Sequence, residues 1–520
     1  MKRLLLPALT VALALAACGG GSDSDSSAPR TPTTPTTPTT PTTPTTPTTP
    51  TTPTTPTTPT TPTTPTDRIE PLDTATPKSD AQVKTEPMAV SRMPKGAAVP
   101  RIALGPFAGE KMTISHDKGT PLQIGQGRAV QAVASPADLA GQLRWNTLAD
   151  GTQVAALAFS SDGAQAIRLG VLARRMPAGA VLRFYGEDGA DVVEMTVAQL
   201  DELRQLNEDG GLSGDDARMV WGPVTAGSVS MLEVQLPAGA DASQLQLAVP
   251  QLSHLTQTLQ QALQNAKDIG DSSSCNLDVM CNADLQAESR SVVAMLFTSS
   301  SGNSGGCTGT LMNDAKGSRT PYLLTANHCI STQASASSLT TYWYYRTASC
   351  GSSKVDPAFG YLSPTGAKLL YTEKTSDATL LQLNAQPPQS LGVVYAGSYF
   401  GAGLTTGTSV VGVHHPSVDL QKYSVGNVVG YATCTSSGDG YFSCPAASSS
   451  TGQMYVVGWT QGTTEQGSSG SALFTKLGNT RYVTGMLTSG SASCSNRSGT
   501  DAYGRFDRAY SRGIKAYLNP

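Results

Sequence analysis

The sequence has almost no net charge: 35 Lys and Arg residues are balanced by 38 Asp and Glu residues, so the formal net charge is −3 over 520 residues. Such a chain has no overall basic field to attract nucleic acid or an anionic surface, and we expect no nucleic-acid partner. Partners therefore have to be inferred from local sites. Because 520 residues exceed what one hydrophobic core serves, two folded domains with flexible segments are expected.

Long apolar runs are also scarce. One run, within residues 4–17, follows two basic residues and is too short for a permanent transmembrane helix, so it predicts an export signal. The signal ends in a bacterial lipobox over residues 15–18, in which Cys18 would be lipidated. An ordinary signal peptide with a chance cysteine is the alternative, but the Gly19-Gly20-Gly21-Ser22 stretch is a flexible tether typical of a lipoprotein. We therefore expect an exported bacterial lipoprotein of the cell envelope, held to a membrane by a lipid.

Cysteine is absent from residues 19–274, whereas the C-terminal half contains eight. An even set confined to one region of an exported chain indicates disulfides, and the spacings lack the paired CxxC pattern of zinc sites. Their connectivity stays open on this evidence. Nothing in the sequence points to a metal or an organic cofactor. The eight are Cys275, Cys281, Cys307, Cys329, Cys350, Cys434, Cys444 and Cys494.

One long segment of the chain has few apolar side chains that a core could bury. Residues 19–100 are polar and proline-bearing, and the triplet Thr-Pro-Thr repeats twelve times over residues 31–66. Such a segment cannot form a core, and proline favours extended polyproline II. The sequence therefore predicts a disordered tether after the signal peptide of residues 1–18.

Two folded domains follow the tether. Residues 101–267 contain short alternating or apolar runs between turns, which predict a β-sandwich with a helix over residues 196–207 and a connecting helix over 252–267. Residues 268–520 are rich in Gly, Ser and Thr and contain many short strand-like runs. This pattern predicts an all-β fold built of barrels.

Histidine is scarce too, with five in the chain. His328 follows an apolar strand-like run, Asp377 opens an alternating run, and Ser469 lies between glycines in residues 467–471. Each motif alone has an ordinary explanation, because Asp, Gly and Ser are common in turns. Together, their order and their separations of about 50 and about 90 residues are those of trypsin-type peptidases.

These residues would supply the parts of acyl transfer. A serine hydroxyl needs a base, so His328 would take the proton of Ser469, and Asp377 would fix the imidazole tautomer. The backbone N–H groups of Gly467 and Ser469 would hold the oxyanion. The neighbouring pair His414 and His415 is interpreted as structural.

Residues 272–520 resemble trypsin-like peptidases and, within them, the bacterial lysyl endopeptidases. The resemblance implies a double β-barrel with the active site in the cleft between the barrels, a serine endopeptidase activity, and protein or peptide substrates. It rests on the motifs Ser274–Val279, Cys307–Leu311, Ala326–Cys329, Val413–Pro416 and Glu465–Ser471. It also implies the disulfides Cys275–Cys494, Cys281–Cys350 and Cys307–Cys329, which leave Cys434 and Cys444 to pair locally.

The same resemblance suggests a specificity pocket. Asp501 matches the family aspartate that binds a basic P1 side chain, although a surface turn aspartate is the alternative. Thr488, Ser489 and Gly490 match the substrate-pairing strand. Thr488 stands where some lysyl endopeptidases have histidine, so strict preference for Lys over Arg stays open. Ser468 stands where trypsin has an aspartate that pairs with the newly freed N-terminus, so activation by that ion pair is not expected.

Residues 101–267, with the motifs Leu143–Trp145, Pro177–Tyr185 and Val220–Pro223, resemble the propeptides of such enzymes, which predicts a zymogen. We also expect a monomer. Lys267 is the basic residue nearest to Cys275 on its N-terminal side, and a cut there would release the protease domain from the lipid anchor. The competing hypothesis is a non-catalytic surface lipoprotein that keeps the trypsin-like fold for binding.

Overall fold

The computed structural model describes residues 66–74, 89–107, 118–256, 272–362, 366–387, 391–436 and 441–520, and describes the backbone alone at 361 and 362. These residues belong to one unit, Thr64–Pro520. Cys18, residues 31–65 of the repeats, and Lys267 lie outside the described ranges. Within those ranges, no helix combines the length and the hydropathy that crossing a membrane requires.

Strands dominate the described chain up to residue 256. The strands are β1 Arg68–Ile69, β2 Leu72–Asp73, β3 Arg101–Pro106, β4 Leu122–Ala129, β5 Asn146–Thr147, β6 Gln153–Asp162, β7 Ala166–Arg175, β8 Val181–Gly186, β9 Val193–Thr196, β10 Met219–Ala226, β11 Val229–Leu236 and β12 Gln246–Leu255. The helices are α1 Pro136–Gln142, α2 Val197–Asp209 and α3 Gly214–Arg218.

The second half is also mainly strand. Its strands are β13 Leu277–Asp278, β14 Val292–Thr298, β15 Ser304–Met312, β16 Tyr322–Ala326, β17 Thr340–Trp343, β18 Gly360–Leu362, β19 Ala367–Glu373, β20 Ala378–Leu383, β21 Val394–Tyr395, β22 Ser398–Tyr399, β23 Ser409–His414, β24 Lys422–Ala432, β25 Thr435–Ser436, β26 Phe442–Ser443, β27 Ala446–Ala447, β28 Met454–Gln461, β29 Ala472–Leu477, β30 Thr480–Gly490 and β31 Thr500–Arg505. Its helices are α4 Gln286–Ser289, α5 Gln333–Ser337, α6 Phe506–Ala509 and α7 Lys515–Leu518, and the π-helical turn Tyr510–Ile514 joins the last two.

The N-terminal domain, residues 89–256, is a sandwich of two sheets. One sheet has the order β3-β6-β11-β8-β9, and the other contains β10-β7-β12-β4. Both sheets contribute apolar side chains to one core, among them Leu157, Phe159 and Leu169. Helix α2 begins after Thr196, which forms a capping box with Gln199 and so satisfies free N–H groups of the first turn.

The predicted helix over residues 252–267 is wrong at its start, because residues up to Leu255 belong to strand β12. This strand pairs with β7 on one side and β4 on the other. Pairing on both edges outweighs the weak helix preference of this short run. The rest of the predicted helix lies outside the described residues.

The C-terminal domain, residues 272–520, consists of two curved sheets that form the double-barrel fold. In the second barrel, β30-β29-β23-β24-β28-β31 follow one another, and β30 also pairs with β31, which closes the ring. The first contains β14 to β20, with β15 bonded to both β14 and β16. The all-β, double-barrel class predicted from the sequence is confirmed.

Part of the predicted disordered tether is ordered, because it contains two short strands. β1 pairs with β22, and β2 pairs with β21, so residues 68–73 are ordered against the C-terminal domain. Ile69 is buried in that domain's core, and the Glu70 carboxylate accepts a hydrogen bond from the Tyr482 hydroxyl. Apolar burial and strand pairing order this stretch, although its composition resembles that of a linker.

The two domains share one sheet. Strand β4 pairs with β12 of its own domain on one edge and with β15 of the C-terminal domain on the other, with Leu122 opposite Gly306. Backbone pairing of this kind leaves no mark in the side-chain pattern. For that reason the sequence predicts two domains but not their junction.

Four disulfides stabilise the C-terminal domain. Three of them join the cysteine pairs that the resemblance implies, and the fourth joins the remaining two cysteines, which are close in sequence. The pairs are Cys275–Cys494, Cys281–Cys350, Cys307–Cys329 and Cys434–Cys444.

A buried arginine also connects the two domains. Arg168 in β7 is fully buried, and its guanidinium donates to the Gly222 carbonyl at 2.7 Å, the Thr298 hydroxyl at 3.1 Å and the Ser338 carbonyl at 2.6 Å. Two of these partners, Thr298 and Ser338, belong to the C-terminal domain. Burial lowers the pKa of Arg168 to about 10, because these acceptors carry no full negative charge.

We predict that Arg168→Leu destabilises the chain by roughly 3 kcal/mol, because three buried acceptors lose their donor. The measurement is urea unfolding of the inactive Ser469→Ala chain with and without the substitution. Arg174→Leu is the control: Arg174 lies in the same strand, but it is exposed and pairs with exposed Asp215, so its loss should lower the free energy of unfolding far less than the loss of Arg168. Equal losses in both variants would contradict the role given to Arg168.

Candidate active site

Strand pairing brings His328 and Asp377 together. β16 ends at Ala326, β20 begins at Ala378, and these two residues lie opposite each other in an antiparallel pair. One Asp377 oxygen lies 2.7 Å from His328 Nδ1, and the other accepts the His328 backbone N–H at 2.9 Å. The carboxylate thus fixes the ring with a proton on Nδ1, and Nε2 is left with a lone pair that can accept a proton.

Ser469 lies in a turn that requires glycine on both sides. Gly467 and Gly470 have φ values of 92° and 80°, which L side chains rarely adopt. A Cβ at Gly467 would lie 2.6 Å from the Val418 amide nitrogen, and a Cβ at Gly470 would lie 2.6 Å from the Thr308 carbonyl oxygen. The backbone therefore passes too close to its neighbours for any larger residue.

Strand β15 supports this turn. The Thr308 amide donates to the Ser469 carbonyl at 2.8 Å, and the Thr308 hydroxyl donates to the Gly467 carbonyl at 2.9 Å. Cys307, the preceding residue, is joined by a disulfide to Cys329, next to His328. One strand thus positions both the nucleophile turn and the histidine.

A buried neutral histidine lies behind the turn. Ser424 donates to the Thr463 carbonyl, so its oxygen accepts from His414 Nε2 at 3.0 Å. The Ser468 hydroxyl then donates to His414 Nδ1 at 2.8 Å. Burial lowers the pKa of His414 to about 3, which agrees with a neutral ring. Ser468, which stands where trypsin has an aspartate, is therefore held by a hydrogen bond between two neutral groups.

His415 is buried and neutral as well. Its Nδ1–H donates to the Asp419 carbonyl at 2.9 Å, whereas its Nε2 has no partner among the described residues. Burial lowers the pKa of His415 to about 4. Its backbone N–H donates to the Thr308 hydroxyl, which in turn bonds to the nucleophile turn. The sequence predicted that this pair is structural, but it did not predict that the pair supports residues 467–469. The available signal was a pair of adjacent histidines with no catalytic motif around it.

Asp501, in strand β31, has a buried carboxylate, and the groups around it are named the Asp501 pocket. One carboxylate oxygen accepts the Trp459 indole N–H and the Thr464 hydroxyl, both at 2.6 Å. The facing residue of β30 is Gly490, where a Cβ would lie 2.0 Å from the other oxygen. Glycine at this position therefore leaves the second oxygen of Asp501 accessible.

The other residues expected to bind substrate are also on β30. Ser489 pairs with Ala502 of β31, next to the pairing of Gly490 with Asp501. Thr488 is fully buried and its hydroxyl lies 3.8 Å from the Met454 sulfur. The role of these residues in pairing with substrate stays a prediction.

Lys118, which the sequence analysis did not single out, fills this pocket. Its ammonium lies 2.7 Å from Asp501 and 2.5 Å from the Ala492 carbonyl, and its own carbonyl accepts from the Ser469 hydroxyl at 2.6 Å. Among the described residues, no hydrogen bond joins Ser469 to His328. No motif surrounds Lys118. The one sequence signal for its role was its residue type, because it is a lysine that precedes a domain expected to have an acidic pocket.

One cluster near His328 has metal-ligand residue types. Cys307, His328 and Cys329 offer atoms within 4.8 Å of one another. The two sulfurs are bonded to each other, so neither can supply the thiolate that a metal needs. The cluster is therefore a disulfide next to His328.

Two family models and a curated relative match most of this chain. The family model described as lysyl endopeptidase, C-terminal domain, matches residues 269–504, and the lysyl endopeptidase N-terminal domain matches residues 100–256. A lysyl endopeptidase of Pseudomonas aeruginosa is 31% identical over 420 residues, which cover 77% of this chain and 82% of that protein.

Solved structures are more distantly similar. A protease of M. tuberculosis in its active form is 17% identical and has a TM-score of 0.31, over 48% of this chain and 90% of that one. A thermostable serine protease from an extremophilic microorganism is 14% identical and has a TM-score of 0.30, over 45% of this chain and 100% of that one.

The buried histidines predict a pH dependence of stability. Because the folded pKa values of His414 and His415 lie below 6.5, the unfolded chain takes up protons that the folded chain does not as the pH falls below about 6.5. We expect the free energy of unfolding to fall by about 1.4 kcal/mol per pH unit for each histidine, down to the folded pKa. Above about pH 7 the two rings should contribute no slope.

Urea unfolding of the Ser469→Ala chain at pH 7.5, 6 and 5 measures this dependence. His415→Gln should reduce the loss of stability between pH 7.5 and 5, because glutamine does not titrate. An unchanged slope in this variant would show that His415 takes up its proton at the same pH in the folded and the unfolded chain, and would contradict the prediction.

Proposed function

The chain belongs to the lysyl endopeptidase family and is a serine endopeptidase, and from this premise we propose that it cuts peptide bonds after lysine and is made as an exported zymogen. The observation that carries the proposal is the pocket of Asp501, in which a lysine side chain makes two polar contacts. A buried carboxylate favours a cationic partner, because an unpaired charge in such a place is costly.

The positions of the pocket oxygens favour lysine over arginine. Arginine pairs best with a carboxylate through two parallel N–H bonds, which need both oxygens. In Asp501 one oxygen already accepts two hydrogen bonds, from Trp459 and Thr464. The free oxygen and the Ala492 carbonyl suit a compact ammonium with several donors. Arginine would therefore be a poorer P1 residue.

The chemistry follows from the arrangement of the three catalytic residues. His328 Nε2 accepts the proton of Ser469 as the hydroxyl oxygen attacks the carbonyl carbon, and it then donates that proton to the leaving amine. Asp377 keeps the ring oriented and stabilises the imidazolium. The amides of Gly467 and Ser469 would donate to the developing oxyanion. Water then hydrolyses the acyl-enzyme by the same steps.

We expect the mature enzyme to cleave a lysyl peptide amide and to lose this activity in Ser469→Ala. Asp501→Asn should lower kcat/KM for the lysyl amide by about 100-fold or more, because a charge-assisted hydrogen bond becomes a neutral one. Asp284→Asn, at an exposed carboxylate, should leave kcat/KM unchanged. The measurement is initial rates on lysyl and arginyl amides, together with mapping of cuts in a denatured protein by mass spectrometry.

Two results would contradict the proposal. Cuts that cluster after residues other than Lys and Arg would remove the role of Asp501. Failure of a fluorophosphonate to label Ser469 in the mature enzyme would favour the non-catalytic binding lipoprotein, because labelling needs an activated serine.

We further propose that the precursor is lipidated at Cys18 and processed at Lys267, so that the anchor remains with the N-terminal fragment. Metabolic labelling with palmitate should mark the wild-type precursor and not Cys18→Ser. The mature protease should appear in the medium, with an N-terminus that follows Lys267. A labelled mature protease domain would contradict the proposed release.

A further inference from the structure

We propose that Lys118 is a built-in pseudosubstrate, through which the N-terminal domain keeps the protease inactive until that domain is removed. The proposal rests on the proposed preference for lysine and adds what occupies the pocket before activation. It concerns occupancy of the site by Lys118, and no covalent step is part of it.

The Lys118 side chain has the contacts expected of a bound P1 lysine. Its side chain is 4% exposed, that of Asp501 is 0% exposed, and the two form an ion pair. Either charge would be costly to bury alone, so each stabilises the other inside the pocket. A substrate lysine would need the same Asp501 oxygen and the same Ala492 carbonyl. Lys118 and a substrate therefore cannot bind together.

The main chain of Lys118 lies at the nucleophile in an unreactive arrangement. Ser469 donates its proton to the Lys118 carbonyl oxygen, not to His328. Within the described ranges, neither the Gly467 amide nor the Ser469 amide donates a hydrogen bond to that oxygen. A carbonyl outside the oxyanion site is not polarised for attack. Lys118 is thus bound as a substrate would be, but it is not activated.

The residues that follow Lys118 hold it in place. The Gln466 side-chain amide donates to the Thr120 hydroxyl at 3.2 Å and to the Pro121 carbonyl at 3.3 Å. From Leu122 onward the chain continues as β4, which pairs with β15 beside the nucleophile turn. The other edge of β4 pairs with β12. Lys118 is therefore anchored through a sheet that both domains share.

This attachment makes the inhibition intramolecular. A short connection to a docked domain gives an effective concentration on the order of millimolar, so a free peptide competes poorly with Lys118. A precursor whose own pocket is filled also cannot bind its other lysines there. The cut that activates one molecule is then expected from another molecule whose pocket is free.

The test uses full-length chains that carry Ser469→Ala, so that no chain digests itself. A fluorescent peptide with an internal lysine is titrated against the parent and against the Lys118→Ala double variant, and binding is read by anisotropy. We expect the double variant to bind the peptide at least about 10-fold more tightly, because its pocket is empty. Equal affinities would overturn the proposal.

Controls separate the possible causes. Lys95→Ala removes an exposed lysine of the same domain and should leave the affinity at the parent's value. A gain in that variant equal to the gain from Lys118→Ala would overturn the proposal. Lys118→Ser is the second test variant, and circular dichroism shows which variants keep the parent's fold.

Mature wild-type enzyme distinguishes this proposal from the proposed function. If the mature enzyme cleaves no lysyl amide, the lysine preference itself fails. If it cleaves lysyl amides while Lys118→Ala and Lys118→Ser leave peptide binding unchanged, only the pseudosubstrate fails. Tighter binding by both variants, together with lysyl cleavage by the mature enzyme, supports both.

Discussion

Hydrogen bonding along both edges of strand β15 is the constraint on which the rest of the structure depends. Through β14 and β16 this strand belongs to the first barrel, and through β4 it joins the N-terminal domain. Thr308 bonds to the nucleophile turn, and Cys307 is bonded to the residue after the catalytic base. The turn of Ser469, the neighbour of His328 and the attached N-terminal domain are therefore all positioned by one buried strand.

Most of the hydrogen bonds behind Ser469 join neutral groups. Behind the nucleophile the support is neutral, since His414 and His415 are buried without charge and bond to hydroxyl and carbonyl groups. Two carboxylates with charged or ionisable partners complete the site: Asp377 beside His328 and Asp501 beside Lys118. In a buried site a neutral hydrogen bond avoids the desolvation penalty of an ion pair.

Local patterns predicted much of this molecule. The order and spacing of His328, Asp377 and Ser469, with glycine around the serine, indicated the chemistry, because each role demands one residue type. Alternating runs indicated strands, and Thr196 marked the start of a helix. The prediction failed where tertiary pairing overrode local preference, at residues 252–255, and where a linker-like stretch at residues 68–73 was ordered by the core it contacts.

By itself, the sequence determined the all-β class and predicted the catalytic residues, because strand periodicity and side-chain chemistry are local properties. The double barrel was implied by the resemblance to trypsin-like peptidases. Only the tertiary structure decided what lies at the nucleophile. The meeting of Lys118 with Asp501 joins residues separated by 383 positions along the chain, and it depends on the pairing of β4 with β15. Backbone hydrogen bonds make that pairing, and they are the same for nearly every residue type, so no sequence pattern records it.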